Sequence, residues 1–399
     1  MIDSLKHRAR ELLKELWILV PSFRALRYRK REGVYLFLPI NGVGLGHLTR
    51  CLAIARRVRQ RDPGAIIVFV TTSIALPIVH RAGFICHHIP PAALAGRSVS
   101  QADWNRLFSR SLEEVIELYR PACLVFDGSF PYVGLRRVLR RYRRRIERVW
   151  VKRGLNKAAA KGEKGGIYAS RFDKVIFPQE VSARVDVAAD DDAALFAVNP
   201  IYLLGREELL ERAHARRMLS LDAERPFAYV QLGAGNINEV EDLQGQVIRA
   251  LKRRGFLVVV ARSPISLQSS GPTGADRVIM DYPNSRYYEA FDVAVMAGGY
   301  NSVCEAVAYG VPTIFIPNVS TGSDDQLKRV NQVRREGYYE VMTTYDDKRF
   351  TSLVDRVMTA ERSPGGYGLA CENGAEQAAA LVARFSRGEE HMIEARRVK

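Results

Sequence analysis

The sequence predicts an α/β protein of two domains, each built on a doubly wound parallel sheet. Three observations predict it. The chain has 399 residues, long for one hydrophobic core and natural for two. Short apolar runs alternate with helical segments from residue 34 to beyond residue 331, the order that a parallel sheet with crossover helices requires. The most informative stretch, 292–331, reads as strand, glycine turn, helix, strand, acidic-amide turn, helix. Its first apolar run, Val293 to Met296, stops at Gly298-Gly299, as a strand buried on both faces does.

Composition narrows the class. At 47% hydrophobic and 26% charged residues the chain is an ordinary globular protein. A formal charge of +16 with a pI near 9.8 predicts attraction to anions: nucleotide, nucleic acid, anionic polysaccharide or an acidic membrane surface. Cysteines 51, 86, 123, 304 and 371 are odd in number and contain no C-x-x-C. That pattern predicts reduced thiols in a cytoplasm and no zinc site. No apolar run reaches the roughly 18–20 residues that span a bilayer, and Leu16 to Val20 is too short for a signal-peptide core.

The elements follow in order. Residues 1–32 form a basic amphipathic segment, with Leu5, Leu12, Leu13, Leu16 and Leu19 near helical spacing among lysines and arginines. Such a helix suits an anionic lipid surface, or packs on the protein body with its charges solvated. The first domain spans 33–205. Its strands are expected at 34–39, 65–71, 85–89, 122–127, 148–152 and 174–177. Its helices are expected from 47 to 59, then at 74–82, 102–119 and 135–145. Residues 90–101 and 157–166 read as loops, and 183–204 as irregular. A linking helix is expected at 207–219. The second domain spans 206–370, with strands at 227–232, 256–261, 277–280, 293–296 and 313–316. Its helices are expected at 240–254 and 285–290, then between Asn301 and Gly310. Residues 371–399 form a last helix, 372–385, and a charged tail.

Candidate site residues sit at strand ends. Gly298 and Gly299 allow a sharp turn and close ligand approach. Asn301 or Ser302 is expected to cap the next helix, and Ser302-Val-Cys-Glu305 reads as a capping box. The exposed amides of that helix start favour a phosphate. Asp325 and Gln326 open another helix, and Gly233, Ala234 and Gly235 form a third strand-helix turn. Turns after strands of one sheet open on the same edge, where α/β sheets bind ligands. In the first domain, Gly44, Gly46 and His47 follow the first strand. No acidic residue stands about 20 positions further on, which disfavours a nicotinamide cofactor. Histidine suits a general base because its pKa lies near cellular pH. Asp127 ends a strand and begins Asp-Gly-Ser, which reads as a turn.

Stretch 292–331 resembles the donor half of GT-B glycosyltransferases, especially the family 28 and family 1 groups. The resemblance implies a GT-B fold: two Rossmann-like domains facing across a cleft, with no cofactor and no metal. Its implied roles are matched by residue. Gly298, Gly299, Asn301 and Ser302 would cradle a donor diphosphate. Glu305 would hold the ribose, and Asp325 with Gln326 the sugar. The plant signature has a histidine just before the glycines, where this chain has Ala297. The run Gly46-His47 resembles the acceptor-side loop, making His47 the base for an acceptor hydroxyl and Asp127 its partner. The expected activity is sugar transfer from a UDP- or dTDP-sugar to a lipid-linked, polysaccharide or small-molecule acceptor, at the inner face of a membrane or free in the cytoplasm. Three alternatives stand beside it. One is a nucleotide-sugar hydrolase in which His47 activates water, resembling enzymes of the pseudaminic pathway. Another is a non-hydrolysing sugar epimerase. The third is a non-catalytic nucleotide-sugar or membrane-binding protein. Arginines 136, 137, 140, 141, 143, 144, 145 and 148 add an anion-attracting surface. No aromatic-interleaved platform supports nucleic acid as the partner.

Overall fold

The structure is a computed structural model. It describes residues 12–14, 16–19, 25, 27–40, 44–96, 99–153, 168–181, 194–220, 224–233, 241–265, 274–321, 324–359 and 373–388.

The first domain runs β1 (Arg31–Pro39), α1 (Gly46–Arg61), β2 (Ile66–Thr71), α2 (Leu76–Arg81), β3 (Ile85–His88), α3 (Gln101–Tyr119), β4 (Pro121–Asp127), α4 (Val133–Arg141), β5 (Glu147–Val151), β6 (Lys174–Pro178) and β7 (Ala194–Val198). The strands form one parallel sheet in the order β3-β2-β1-β4-β5-β6-β7. The chain therefore builds outward from β1, then crosses back to lay β4 on its other side. Val34 to Leu38 are all buried, because helices cover both faces. On one face Phe37 stacks on Phe69 with centroids 5.3 Å apart, and Phe69 on Phe84 at 5.7 Å. Strand β7 lies in the stretch expected to be irregular. Five apolar residues at a sheet edge carry too short a pattern to identify alone.

The second domain runs α5 (Arg212–Met218), β8 (Phe227–Gln231), α6 (Glu241–Arg253), β9 (Leu257–Ala261), β10 (Arg277–Ile279), β11 (Val293–Met296), α7 (Tyr300–Tyr309), β12 (Thr313–Phe315), α8 (Gln326–Val333), β13 (Tyr339–Val341) and α9 (Asp347–Met358). Its sheet is also parallel, ordered β10-β9-β8-β11-β12-β13. Strand β13 and helix α9 extend the domain beyond the elements read from sequence. The linker is not one helix over 207–219. A 3-10 turn, Arg206–Glu208, precedes α5. The Glu208 carboxylate accepts from the Gly205 amide at 2.7 Å and from Arg57 at 3.2 Å, which closes that turn before α5 begins.

The last helix, α10 (Gly374–Arg387), packs against α1, β1, β4 and β7 of the first domain. A side chain at Gly374 would put its Cβ 1.8 Å from the Asn199 carbonyl oxygen, so only glycine allows this approach. At the other end, residues 12–14 and 16–19 are helical. Ile18 is buried, and Trp17 lies under the Arg137 guanidinium, 4.2 Å away. Leu12, Leu13, Leu16 and Leu19 remain exposed.

A polar seam joins the domains. Arg329 of α8 is 1% exposed. Its Nε donates to Glu180 Oε2 at 2.8 Å, and its Nη2 to Asp324 Oδ1 at 2.8 Å. Arg153 of the first domain donates to the same Asp324 oxygen at 3.0 Å. The Tyr300 hydroxyl donates to the Gln179 carbonyl at 3.1 Å and accepts from the Ile201 amide at 3.0 Å. A buried ion broken on one side leaves an uncompensated charge, at a cost of about 3–5 kcal/mol. Arg329→Met should therefore lower the thermal unfolding midpoint sharply. The double variant with Glu180→Met should lose less, because Asp324 keeps Arg153. Equal losses in the two variants would show that the pair does not hold the seam.

Candidate functional site

In each sheet the strand order reverses once, between β1 and β4 in the first and between β8 and β11 in the second. Ligands of open α/β sheets bind outside the strand ends at such points. The structure puts candidate residues at both. His47 is the second residue of α1, after β1, and Asp127 ends β4. Gly233 follows β8, while Gly298 and Gly299 follow β11.

His47 and Asp127 meet. Nδ1 of His47 lies 2.6 Å from Asp127 Oδ1. A carboxylate only accepts, so Nδ1 carries the hydrogen and Nε2 is left as the basic nitrogen. Arg50 completes the group and was not singled out from sequence. Its Nε donates to Asp127 Oδ2 at 2.9 Å and its Nη2 to Oδ1 at 2.6 Å. The signal for it was spacing: three positions after His47 on a helix is the same face. Nη2 also lies 2.9 Å from His47 Nδ1. Both are donors when Nδ1 is protonated, so that approach is a contact between them. Burial pushes the Asp127 carboxyl up, but Arg50 and then His47 outweigh it and hold it below the usual carboxylate range. Burial lowers His47, Asp127 opposes, and the Arg50 and Arg153 charges lower it further. The imidazole is 16% exposed.

Across the cleft, helix α7 corrects one expectation. Its N-cap is Gly299 in extended conformation, with no side-chain cap, so neither Asn301 nor Ser302 caps it. The helix starts at Tyr300, two residues before an Asn301 cap would start it, and the Tyr300 hydroxyl is anchored in the seam. The capping box is absent too: Glu305 instead accepts from Ser285 Oγ at 3.3 Å. The first amides of α7 therefore have no side-chain acceptor from a cap. Asn301 reaches the other domain, its Nδ2 donating to the Gly46 carbonyl at 3.4 Å, while its Oδ1 is buried without a hydrogen-bond partner. Thr49 and Tyr282 make a second crossing, hydroxyl to hydroxyl at 2.7 Å.

Glu305 is 8% exposed. Burial pushes its carboxyl from an ordinary value near 4.5 to about 8, with Ser285 opposing. Gly298 is required by space, since a Cβ there would lie 2.8 Å from Val330 and 3.1 Å from the Gln326 Cβ. Asp325 caps α8 through the Lys328 amide at 3.0 Å, and Gln326 Oε1 accepts from the Asn318 amide at 2.9 Å. Asp324, rather than Asp325, joins the seam. Gly233 has φ +122°, a glycine conformation. Ala234 and Gly235 lie outside the described residues, while Gly44 leads into α1. Among the described residues no three His, Cys, Asp or Glu side chains are grouped to hold a metal, and no helix is long and apolar enough to cross a membrane.

Residues 263–367 match the glycosyltransferase family 28 C-terminal domain. A relative from Nocardioides sp., a UDP-N-acetylglucosamine–N-acetylmuramyl-(pentapeptide) pyrophosphoryl-undecaprenol N-acetylglucosamine transferase, is 25% identical, covering 72% of this chain and 79% of its own length. The chain is a glycosyltransferase of GT-B fold whose second domain is similar to family 28. Solved structures agree on the fold of this glycosyltransferase. The kitacinnamycin glycosyltransferase superposes with a TM-score of 0.59 at 15% identity, over 89% of this chain and 99% of that one. Acinetobacter baumannii MurG gives 0.55 at 14% identity, over 89% and 100%.

The Glu305 carboxyl makes a prediction. Its pKa is raised on folding, so between about 4.5 and about 8 the folded enzyme holds a proton that the unfolded chain has lost. Stability must fall as pH rises through that window. Glu305→Gln should show a flatter pH dependence of its unfolding midpoint between pH 5 and 8. Parallel curves for the two proteins would place the ionised carboxylate in the folded state.

Proposed function

We propose that the enzyme moves a sugar from a UDP-sugar to an acceptor hydroxyl, with His47 as general base and Asp127 as its partner. The observation that carries this reading is the His47–Asp127 pair at the first sheet's reversal point, bridged by Gly46 and Asn301 to the glycine turn of the second. The acceptor hydroxyl gives its proton to His47 Nε2 as its oxygen attacks the anomeric carbon. The nucleoside diphosphate leaves with the bonding electrons. Asp127 steadies the imidazolium that forms. The leaving diphosphate meets the amides that open α7 and the positive end of that helix. Glu305 meets the ribose. Asp325 and Gln326 face the sugar, and Gly233 lines the phosphate side. Gly44 and Gly46 give the acceptor room beside the base. The Nocardioides relative's name supports a UDP donor and an acceptor carried on a lipid.

A lipid-borne acceptor implies work at a membrane, and the first domain has a surface suited to it. Leu12, Leu13, Leu16 and Leu19 project from the helical segment docked on α4 through Trp17 and Arg137. Arg140, Arg143 and Arg144 at the end of α4 are exposed. The other arginines of that run are partly used inside the protein: Arg136 and Arg148 are buried, and Arg148 pairs with Asp173. Apolar side chains beside exposed arginines match an anionic bilayer interface.

Two measurements test these readings. His47→Ala should lose transfer by about 10²–10⁴-fold while calorimetry shows UDP binding unchanged. Turnover equal to the parent enzyme's would remove His47 from the chemistry, and equal release of free sugar without acceptor would assign hydrolysis instead. Vesicles containing anionic phospholipid should co-sediment the enzyme, neutral vesicles should not, and Leu12→Asp/Leu16→Asp should abolish the association. Equal partition onto both kinds of vesicle, or none onto either, would end the electrostatic membrane reading.

A further inference from the structure

Arg50 is a buried charge beside the proposed base, paired with that base's partner. It is 2% exposed and lies flat against Asp127, one nitrogen on each carboxylate oxygen, at 2.9 and 2.6 Å. That is the bidentate fork of a guanidinium on a carboxylate, which fixes orientation as well as charge. The other face of Arg50 looks toward the second domain, with its Cζ 5.5 Å from the centre of the Tyr300 ring. Tyr300 is the first residue of α7. Arg50 is thus held between the partner of the base and the helix start that faces the leaving group.

We propose that Arg50 is a positioning residue of the acceptor-activating pair: by clamping both oxygens of Asp127 it aims Oδ1 at His47 Nδ1 and leaves Nε2 free to take the acceptor proton. The inference rests on the proposed role of His47. Asp127 alone could rotate about its last torsion, and terminal carboxylate torsions are broad. With Oδ2 tied to Arg50 Nε, rotation costs a charge-assisted hydrogen bond. The clamp has an electrostatic effect as well. Three groups with full charge bear on His47: Asp127 on β4, Arg50 on its own helix and Arg153 beyond β5. Asp127 draws a proton onto the imidazole, and both arginines repel it. Arg50 therefore offsets the carboxylate that orients the base. The result is an imidazole correctly turned yet still able to start the cycle unprotonated, which a base needs. An unclamped Asp127 would hold the imidazolium more tightly and leave less of the reactive form at neutral pH.

The test reads His47 directly. Its ring nitrogens are followed by NMR titration in the parent enzyme, Arg50→Gln and Arg50→Lys, and the transfer rate is measured against pH in each. Removing the Arg50 charge takes away one of the effects that lower His47 and frees the carboxylate that raises it. Arg50→Gln should therefore move the His47 midpoint upward by about one unit or more, and the acid limb of kcat/KM should move with it. Arg50→Lys keeps the charge but not the fork. It should hold the midpoint near the parent's while losing kcat about tenfold or more. Introduced into His47→Ala, Arg50→Gln should cost no further activity, because Arg50 acts only through the pair. An unchanged midpoint in Arg50→Gln, or a full additional loss in the double variant, would overturn the proposal. Failure of the His47 role alone reads differently: His47→Ala would remain active while the NMR midpoint still moved.

Discussion

A charge taken out of water must be met by another, and the cleft of this glycosyltransferase is arranged around that requirement. Asp127 ends the central β4 strand, buried at a place where water cannot answer it. Arg50 and His47 answer it instead, and both come from the first two turns of α1. The strand order makes this possible. Because β4 is laid directly against β1, the loop after β1 and the end of β4 open beside each other. The same constraint recurs at the seam, where Arg329 can be buried only because Glu180 comes from one domain and Asp324 from the other. The two sets of ions both border the Tyr300 ring, which Arg50, Arg153 and Arg329 approach at 5.5, 5.9 and 5.7 Å.

Much of the fold was legible because parallel sheets write themselves plainly. A strand buried on both faces is a continuous apolar run, and runs such as those of β1, β4 and β11 leave little choice of assignment. Strand β7 was not legible because an edge strand of five residues has neither length nor alternation to mark it. The 206–218 linker was misread for a different reason. Its helical pattern is real, but Glu208 turns back onto the Gly205 amide, and a side-chain contact of that kind lies outside hydrophobic periodicity.

The site divides along similar lines. His47, Asp127, Gly298 and Gly299 could be placed near one another because each ends or follows a strand, and topology alone brings such residues to the strand ends. The caps of α7 were misjudged because Asn301 and Ser302 have the right chemistry two and three positions too late. The helix start is decided by Tyr300, whose hydroxyl is fixed by Gln179 and Ile201 of the other domain. Nothing local to the sequence reports such a contact. The same is true of Glu180, Arg153 and Arg329, which lie far apart in the chain and acquire meaning only as a cluster. Arg50 was closer to hand, because helical spacing already placed it on the face of His47.

The charge balance of the seam bears on how the proposed donor is held. Three arginines, 50, 153 and 329, face three carboxylates, 127, 180 and 324, and each arginine is engaged by at least one of them. A neutral floor of this kind has no cation to spare for a diphosphate. An arginine that left its carboxylate to meet a phosphate would strand a buried negative charge beside a second one, which costs more than the new contact returns. On the proposed reading, recognition of the leaving group falls to main-chain amides at the Gly298-Gly299 turn and to the helix behind them. That assignment suits a turn in which Val330 and Gln326 leave no room for a side chain at 298. It also accounts for the uncapped start of α7. A side-chain oxygen on those amides would occupy the positions that a phosphate oxygen needs.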